Sequence, residues 1–245
     1  MGEAKELRVL PIDSSDARKL IERLHYSGKA TVNARLALGV LFRGKLEGAM
    51  QFGPPLDKAK VLPLVRGTGW NEMLELNRMA FSDALPRNSE SRALGVALRL
   101  LRKHYPVLKW VLSFSDATRC GDGTIYRAAG FLLTNIKPNS TLWEMPDGRV
   151  FSDVGVRSMG GRMPDVIARG AKKLRGFQLR YIYFLQPKER QNLAVEALPF
   201  SAIERAGASM YRGKRGRSIE DAPDVQSGEG GSTPTLPLHP SEGSP

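Results

Sequence analysis

The chain holds one cysteine, Cys120, in 245 residues. An intramolecular disulfide framework is therefore excluded, and the composition fits a reducing compartment. Histidine is almost as scarce, at three residues. With no CxxC pair and no HExxH run, a structural zinc site has nothing to rest on. GxxxxGK[ST] and GxSxG are both missing, which removes the P-loop NTPases and the nucleophile-elbow hydrolases. The tightest glycine cluster in the first half, Gly67-Thr68-Gly69, neither follows a strand nor opens a helix, so it is no dinucleotide fingerprint. No apolar run approaches the roughly 18 residues of a membrane span. The opening MGEAKELRVLPIDSSD lacks the apolar centre of a signal peptide. The expectation is a soluble, cytoplasmic protein with no membrane association. Acidic residues are also in deficit, with 25 Asp+Glu against 37 Lys+Arg and a net charge of +12. A positive field of that size speeds encounter with polyanions, and each phosphate contact releases counterions. Nucleic acid or a phosphorylated ligand is the partner class it favours.

What is present reads as alternating elements. Arg8 to Ile12 is a short strand. Asp13, Ser14 and Ser15 supply N-cap side chains, and Ala17, Leu20, Ile21 and Leu24 then fall on one helical face. His25 and Tyr26 sit at that helix's end, beside the stop at Gly28. Leu36–Phe42 and Leu46–Phe52 flank Arg43-Gly44-Lys45 as a hairpin. "FGPPL", Phe52 to Leu56, invites comparison with the Asp-Pro-Pro-Tyr loop of amino-methyltransferases. It lacks both the polar first residue and the stacking aromatic, and reads as a turn. Asn71 to Phe81 is the next strand. A long helix follows, capped by Asn88 or Ser89, lined by Leu94, Ala97, Leu98, Leu101 and Tyr105, and ended by Pro106. Val107 to Phe114 is a strand, Gly123 to Phe131 a short helix, Phe131 to Ile136 a strand, and Leu179 to Leu185 a late strand.

The order β-α-β-β-β-α-β-α-β, with a hairpin inside the alternation, predicts an α/β protein. Its central sheet is mixed and partly antiparallel, with helices on both faces. Residues 1–211 form one domain, within which the poorly periodic, arginine-bearing stretch 138–178 is a candidate insertion. Residues 212–245 are basic and then Gly-, Ser- and Pro-rich. They hold too little apolar surface to offset ordering and are expected to be disordered.

Three polar clusters follow apolar elements: His25 to Gly28; Glu75 to Arg78 together with Pro86 to Arg92; and Ser113 to Tyr126. Ligands of open α/β sheets sit at strand ends. The helix N-terminus at Arg87, Asn88, Ser89, Ser91 and Arg92 offers free amides and two cations to a phosphate group. Ser115 and Asp116 end a buried strand, and a carboxylate beside the Tyr126 phenol is general acid/base material.

The stretches LHYSGK, LELNRMAF, PRNSESRALG and SFSDATRCGDGTIYRAAGF, with the tail MYRGKRGRSIEDAPD, resemble the Mom family of bacteriophage DNA-modification proteins. Through it they resemble the GNAT acyltransferase fold. That resemblance implies an enzyme that places a carbamoylmethyl (acetamido) group on adenine N6 of double-stranded DNA, protecting phage DNA from host restriction. It places His25, Tyr26, Ser115, Asp116 and Tyr126 in catalysis and Arg87, Asn88, Ser89, Ser91 and Arg92 at the cofactor. The donor implied is acetyl-CoA or another two-carbon donor. The loop departs from the family fold's glycine-rich pattern, having no glycine before Gly95.

The product bond to N6 is to a methylene carbon, whereas attack on a thioester carbonyl would give an amide. An iron held by His25, Tyr26 and Asp116 is a second route, since imidazole, phenolate and carboxylate all suit that metal. N6 lies inside a stacked duplex, so the base must be extruded. Tyr26, Phe52 and Trp70 are candidate stacking partners, and Trp110 belongs to the core. Two other readings stand beside it: an N-acetyltransferase acting on a small amine or protein through the same His, Asp and Tyr, and a non-enzymatic DNA-binding protein, which accounts for the basic charge and the arginine-rich tail but not for polar residues converging from three segments.

Overall fold

In the computed structural model, residues 3–25, 27–117, 123–139, 142–158, 160–174 and 176–207 are described. The expected disordered tail therefore lies outside the described residues, as does Tyr26. A seven-stranded sheet forms the centre, in the spatial order β1-β2-β3-β4-β5-β10-β6. Its strands are β1 (Arg8–Pro11), β2 (Leu36–Phe42), β3 (Lys45–Gly53), β4 (Met73–Phe81), β5 (Trp110–Asp116), β6 (Leu132–Asn139) and β10 (Gly176–Phe184). The pairing of β4 with β5 is parallel, and every other pair in this sheet is antiparallel. This is the mixed, partly antiparallel α/β sheet that the order of elements predicts.

The two faces are covered by different means. Helix α3 (Ser89–His104) lays Ala93, Leu94, Ala97, Leu98 and Leu101 on one face, against Leu38, Val40, Met50, Phe52, Val111 and Tyr181. The opposite face is shared. Helix α1 (Ser14–Leu24) packs Ala17, Leu20 and Ile21 on Ala37, Ala49 and Ala80. Three alanines from three strands leave room for the helix backbone to approach closely. Further along that face, Leu64 and Val65 cover Met73, Trp110, Leu112 and Ile182. They follow the one-turn helix α2 (Lys58–Val61). A gap remains between these two apolar covers.

The β2–β3 hairpin closes through Arg43 (φ 49°) and Gly44 (φ 79°), both left-handed. That is the pattern of a two-residue turn whose twist matches its strands. Strands β6 and β10 pair down to Asn139 and Gly176. The chain between them forms a separate three-stranded sheet, β7 (Leu142–Glu144), β8 (Val150–Ser152) and β9 (Lys172–Lys173), with helices α5 (Asp153–Ser158) and α6 (Met163–Ala168). Its polarity hides a strand pattern because these strands have two or three residues each. Two arginines of this segment pair locally: Arg149 with Asp147 at 2.7 Å and Arg162 with Asp165 at 3.1 Å. Two short helices, α4 (Thr124–Ala128) and α7 (Ser201–Arg205), complete the fold. Among the described residues no helix is long and apolar enough to cross a membrane.

Candidate active site

Strands β4 and β5 pair from Met73↔Trp110 to Leu76↔Ser113 and no further. Beyond that point both continue, β4 to Phe81 and β5 to Asp116. Two parallel neighbours that stop pairing diverge, and the divergence opens a cleft in the sheet. At its root the Ser113 hydroxyl donates to the Leu76 carbonyl at 3.4 Å.

One wall begins with a bulge. Gln51 opposes Arg78 and Phe52 opposes Leu76, which leaves Asn77 as the extra residue on β4. Its Nδ2 donates to Pro54 O at 3.4 Å. Its buried Oδ1 has no hydrogen-bond partner among the described residues. Gly53 makes this geometry feasible: a Cβ there would lie 2.7 Å from Asn77 Oδ1 and 2.8 Å from the Asn33 carbonyl. So the glycine of FGPPL is dictated by close packing against the bulge. Glu75 is largely buried on the same strand, and burial raises its carboxyl pKa against opposing pulls from Asn77 and Arg78.

Arg78 ties the loop after α1 onto this wall. Its Nε donates to the Lys29 carbonyl at 3.1 Å and its Nη1 to the Asn77 carbonyl at 2.6 Å. Nearby, Thr31 N–H donates to the buried Gln51 Oε1 at 3.0 Å. That loop carries His25, half-buried at the end of α1. Burial first, and the Arg78 charge second, lower its pKa from 6.5 to about 4. The imidazole is therefore neutral at physiological pH. Ser27 N–H approaches His25 Nδ1 at 3.2 Å, and the Ser27 hydroxyl lies 2.8 Å from the same nitrogen. Nδ1 is thus the lone-pair side, and the ring proton sits on Nε2. His25 is built as a neutral N–H donor. Among the described residues no three His, Cys, Asp or Glu side chains are grouped to hold a metal, and Tyr26, the third expected iron ligand, lies outside them.

The other wall ends in Ser115 and Asp116. Ser115 is buried on the α3 side of β5, while the strand's alternation sends Asp116 to the opposite face. On that face β10 places Arg180 beside Phe114 and Gln178 beside Asp116. Arg180 is held by Thr134, with Nε to Oγ1 and Nη2 to the carbonyl both at 3.0 Å, and burial lowers its pKa. Of the remaining expected residues, Tyr126 is 8% exposed, its ring stacked on Tyr181 at 5.0 Å and edge-on to Phe131 at 5.4 Å. Its hydroxyl still reaches the end of β5, donating to the Phe114 carbonyl at 3.5 Å. Phe52, expected as a base-stacking side chain, is fully buried under α3. Its period-2 place in β3 assigns it to the core face and excludes that role. Trp110 is core, as expected.

At the mouth on the α3 side lie Arg87 to Arg92. Asn88 holds the N-cap position in the left-handed conformation (φ 69°) and makes no side-chain cap bond. This explains how a loop with no glycine before Gly95 still turns sharply, since asparagine tolerates that region better than other side chains. Ser89, buried, donates its hydroxyl to Pro86 O at 2.5 Å, and Ser91 Oγ donates to Asn88 O at 3.3 Å. These serines brace the turn with their own hydroxyls. The Ser89 N–H is taken by the Pro86 carbonyl at 3.2 Å, which leaves the Glu90 and Ser91 amides of the first turn for an anion, with Arg87 and Arg92 exposed beside them. The loop therefore fits a pyrophosphate-bearing donor such as an acyl-CoA by amides and guanidinium groups. Asn77 and Arg78 fall in the polar cluster that the sequence marks, whereas Gln51 and Arg180 were not legible as site residues. They lie in strands, and only pairing register and the bulge place them at the cleft.

The cleft and its anion-ready helix carry the sequence features of one family. Residues 6–202 match the Mom protein family. The chain belongs to the Mom family. It is 37% identical over 196 residues to the methylcarbamoylase Mom of Escherichia phage Mu, covering 78% of this chain and 80% of that relative. Similar solved structures include NAA60 of Arabidopsis thaliana with a bisubstrate analogue, at 11% identity and a TM-score of 0.48. That match spans 73% of this chain and 97% of that one. A GNAT-family acetyltransferase of Streptococcus pneumoniae matches at 12% identity and a TM-score of 0.42, spanning 73% and 99%. This member of the family has a mixed α/β fold whose central sheet stops pairing between β4 and β5 beyond Leu76 and Ser113.

Proposed function

We propose that this Mom-family chain is a transferase that attaches a carbamoylmethyl group to N6 of adenine in double-stranded DNA, shielding the DNA from restriction endonucleases. The observation that carries the reading is the cleft between β4 and β5, in a chain 37% identical to a methylcarbamoylase. The net charge of +12 supports a DNA substrate. Chemically, the new bound carbon replaces one N6 proton, so a base must accept that proton as the bond forms. Asp116 is the carboxylate at the cleft and takes that role. His25, neutral with its proton on Nε2, donates to a developing negative charge or to the purine ring. Arg87, Arg92 and the first-turn amides of α3 hold the donor's phosphates. The donor would have to carry a leaving group on its methylene carbon, which departs as N6 bonds there, because attack on the carbonyl of an acyl-CoA would give an amide in place of the carbamoylmethyl product.

The test is nucleoside mass spectrometry of plasmid DNA from cells expressing the protein, beside the Asp116→Ala variant. The expected result is an adenosine species heavier by a carbamoylmethyl group in the wild type and absent from the variant. The variant should still bind DNA, because phosphate contacts do not depend on the catalytic carboxylate. Unmodified DNA from folded wild-type protein would overturn the reading. Modification that persists in Asp116→Ala would overturn the site assignment alone.

A further inference from the structure

A second concave surface lies beside the cleft. It is a groove of about 1020 Å³ at the N-terminal ends of β4 and β5, floored by Met73 and Leu74 and walled by Pro54 and Pro55. Strand β5, seven residues long, puts about 20 Å between this end and Asp116. The groove borders the cleft wall at Pro54, whose carbonyl accepts from Asn77, while its far end lies about 20 Å from Asp116. Its rim combines exposed aromatics with cations. Trp70 is 62% exposed, and Tyr105 and Val107 stand free at the C-terminal end of α3. Lys58 places its ammonium 4.3 Å from the Trp70 ring centroid. Arg35 faces the same space, close enough that its charge, after burial, lowers the Lys58 pKa. Among the described residues neither cation has an ion-pair partner. Asp57, which also lines the groove, is engaged by Lys60 at 2.7 Å.

Two like charges held together without a carboxylate are unfavourable until an anion arrives. An exposed indole beside them offers a π-face. Together they match a nucleotide that has left the stack, with its base on Trp70 and its phosphate between Lys58 and Arg35. A base inside a duplex presents no face to such an indole, so duplex DNA gains little here. We infer that this groove grips one unstacked nucleotide of a DNA strand, and that the protein prefers DNA opened several base pairs from the modified adenine. The inference rests on the DNA reading of the cleft and adds a second, remote contact.

The experiment measures binding of the full chain to a single-stranded oligonucleotide and to the corresponding duplex, by fluorescence anisotropy. Trp70→Ala should weaken single-strand binding about tenfold, as loss of one stacked base does, and duplex binding less than about twofold. Trp70→Phe should recover most of the loss. Lys58→Gln should lower the slope of log K against log salt by about one ion. Thermal melts matching the wild type keep these results about binding. Unchanged single-strand affinity in Trp70→Ala overturns the groove assignment. So does a change in sedimentation without a change in oligonucleotide affinity, which would make the groove a self-association face. If the wild type binds neither oligonucleotide, the DNA reading itself fails.

Discussion

His25 shows how one side chain's environment sets its chemistry. A neutral imidazole with Nδ1 facing the Ser27 amide donates through Nε2. Glutamine can supply an N–H at that distance from the backbone, and alanine cannot. His25→Ala should therefore lower turnover about hundredfold, the loss typical of one preorganised donor, whereas His25→Gln should retain most of it. Equal loss in both variants, measured as modified adenosine per hour, would make His25 a proton acceptor instead. The same environment predicts a stability effect. The folded-state pKa, about 4, lies below the ordinary histidine value of 6.5. Between those values the unfolded chain binds the extra proton, so stability falls as pH drops from about 6.5 through about 4. Urea titrations across that range should show the loss, and His25→Gln should flatten it. Gly123 is a second residue-scale case. It sits at φ 72°, and a Cβ there would meet the Tyr181 hydroxyl at 2.5 Å and its ring at 2.6 Å. Gly123→Ala should destabilise by about 2 kcal/mol, combining left-handed strain with a forced shift of Tyr181. An unchanged urea midpoint would refute that packing argument.

At the scale of elements, α3 does two jobs from its two ends. Its apolar stripe was plain from spacing, and the helix lies where the periodicity put it. Leu98 is buried against the sheet, and Leu98→Ala should cost about 2–5 kcal/mol, measured by chemical denaturation. A cost under about 1 kcal/mol would mean the α3 interface is loosely packed. The N-terminal end carries the proposed anion site, and there Asn88 takes a left-handed conformation that glycine adopts most readily. Asn88→Gly should leave stability unchanged or raise it slightly, and Asn88→Val should lower it, because the left-handed region rejects a branched side chain. The short strands of residues 142–173 were invisible to pattern reading for a different reason. Alternation needs four or more residues to register, and none of these strands has them.

At the scale of the molecule, the excess of positive charge is spread over a fold with one cleft and one groove. If DNA is the partner, affinity should fall steeply with salt. Neutralising about four phosphates would give about a hundredfold loss between roughly 50 and 200 mM. Salt-insensitive binding would remove the electrostatic argument. The two contact surfaces lie at opposite ends of β4 and β5. Several helical steps of DNA would therefore be engaged at once, although neither surface is large.

The sequence by itself determined the class of the fold, the place of α1, the hairpin and α3, the existence of β5 though at Trp110–Asp116 in place of Val107 to Phe114, and the presence of His25, Ser115 and Asp116 at element ends. These follow from local periodicity, turn residues and caps, which act within a few neighbours. Only the tertiary structure decided which polar residues meet. The bulge at Asn77, the arrival of Arg78 beside His25, the burial of Phe52 and the exposure of Trp70 all depend on strand register and on which face each strand turns inward. Those are choices made between segments tens of residues apart, through packing that no local pattern records.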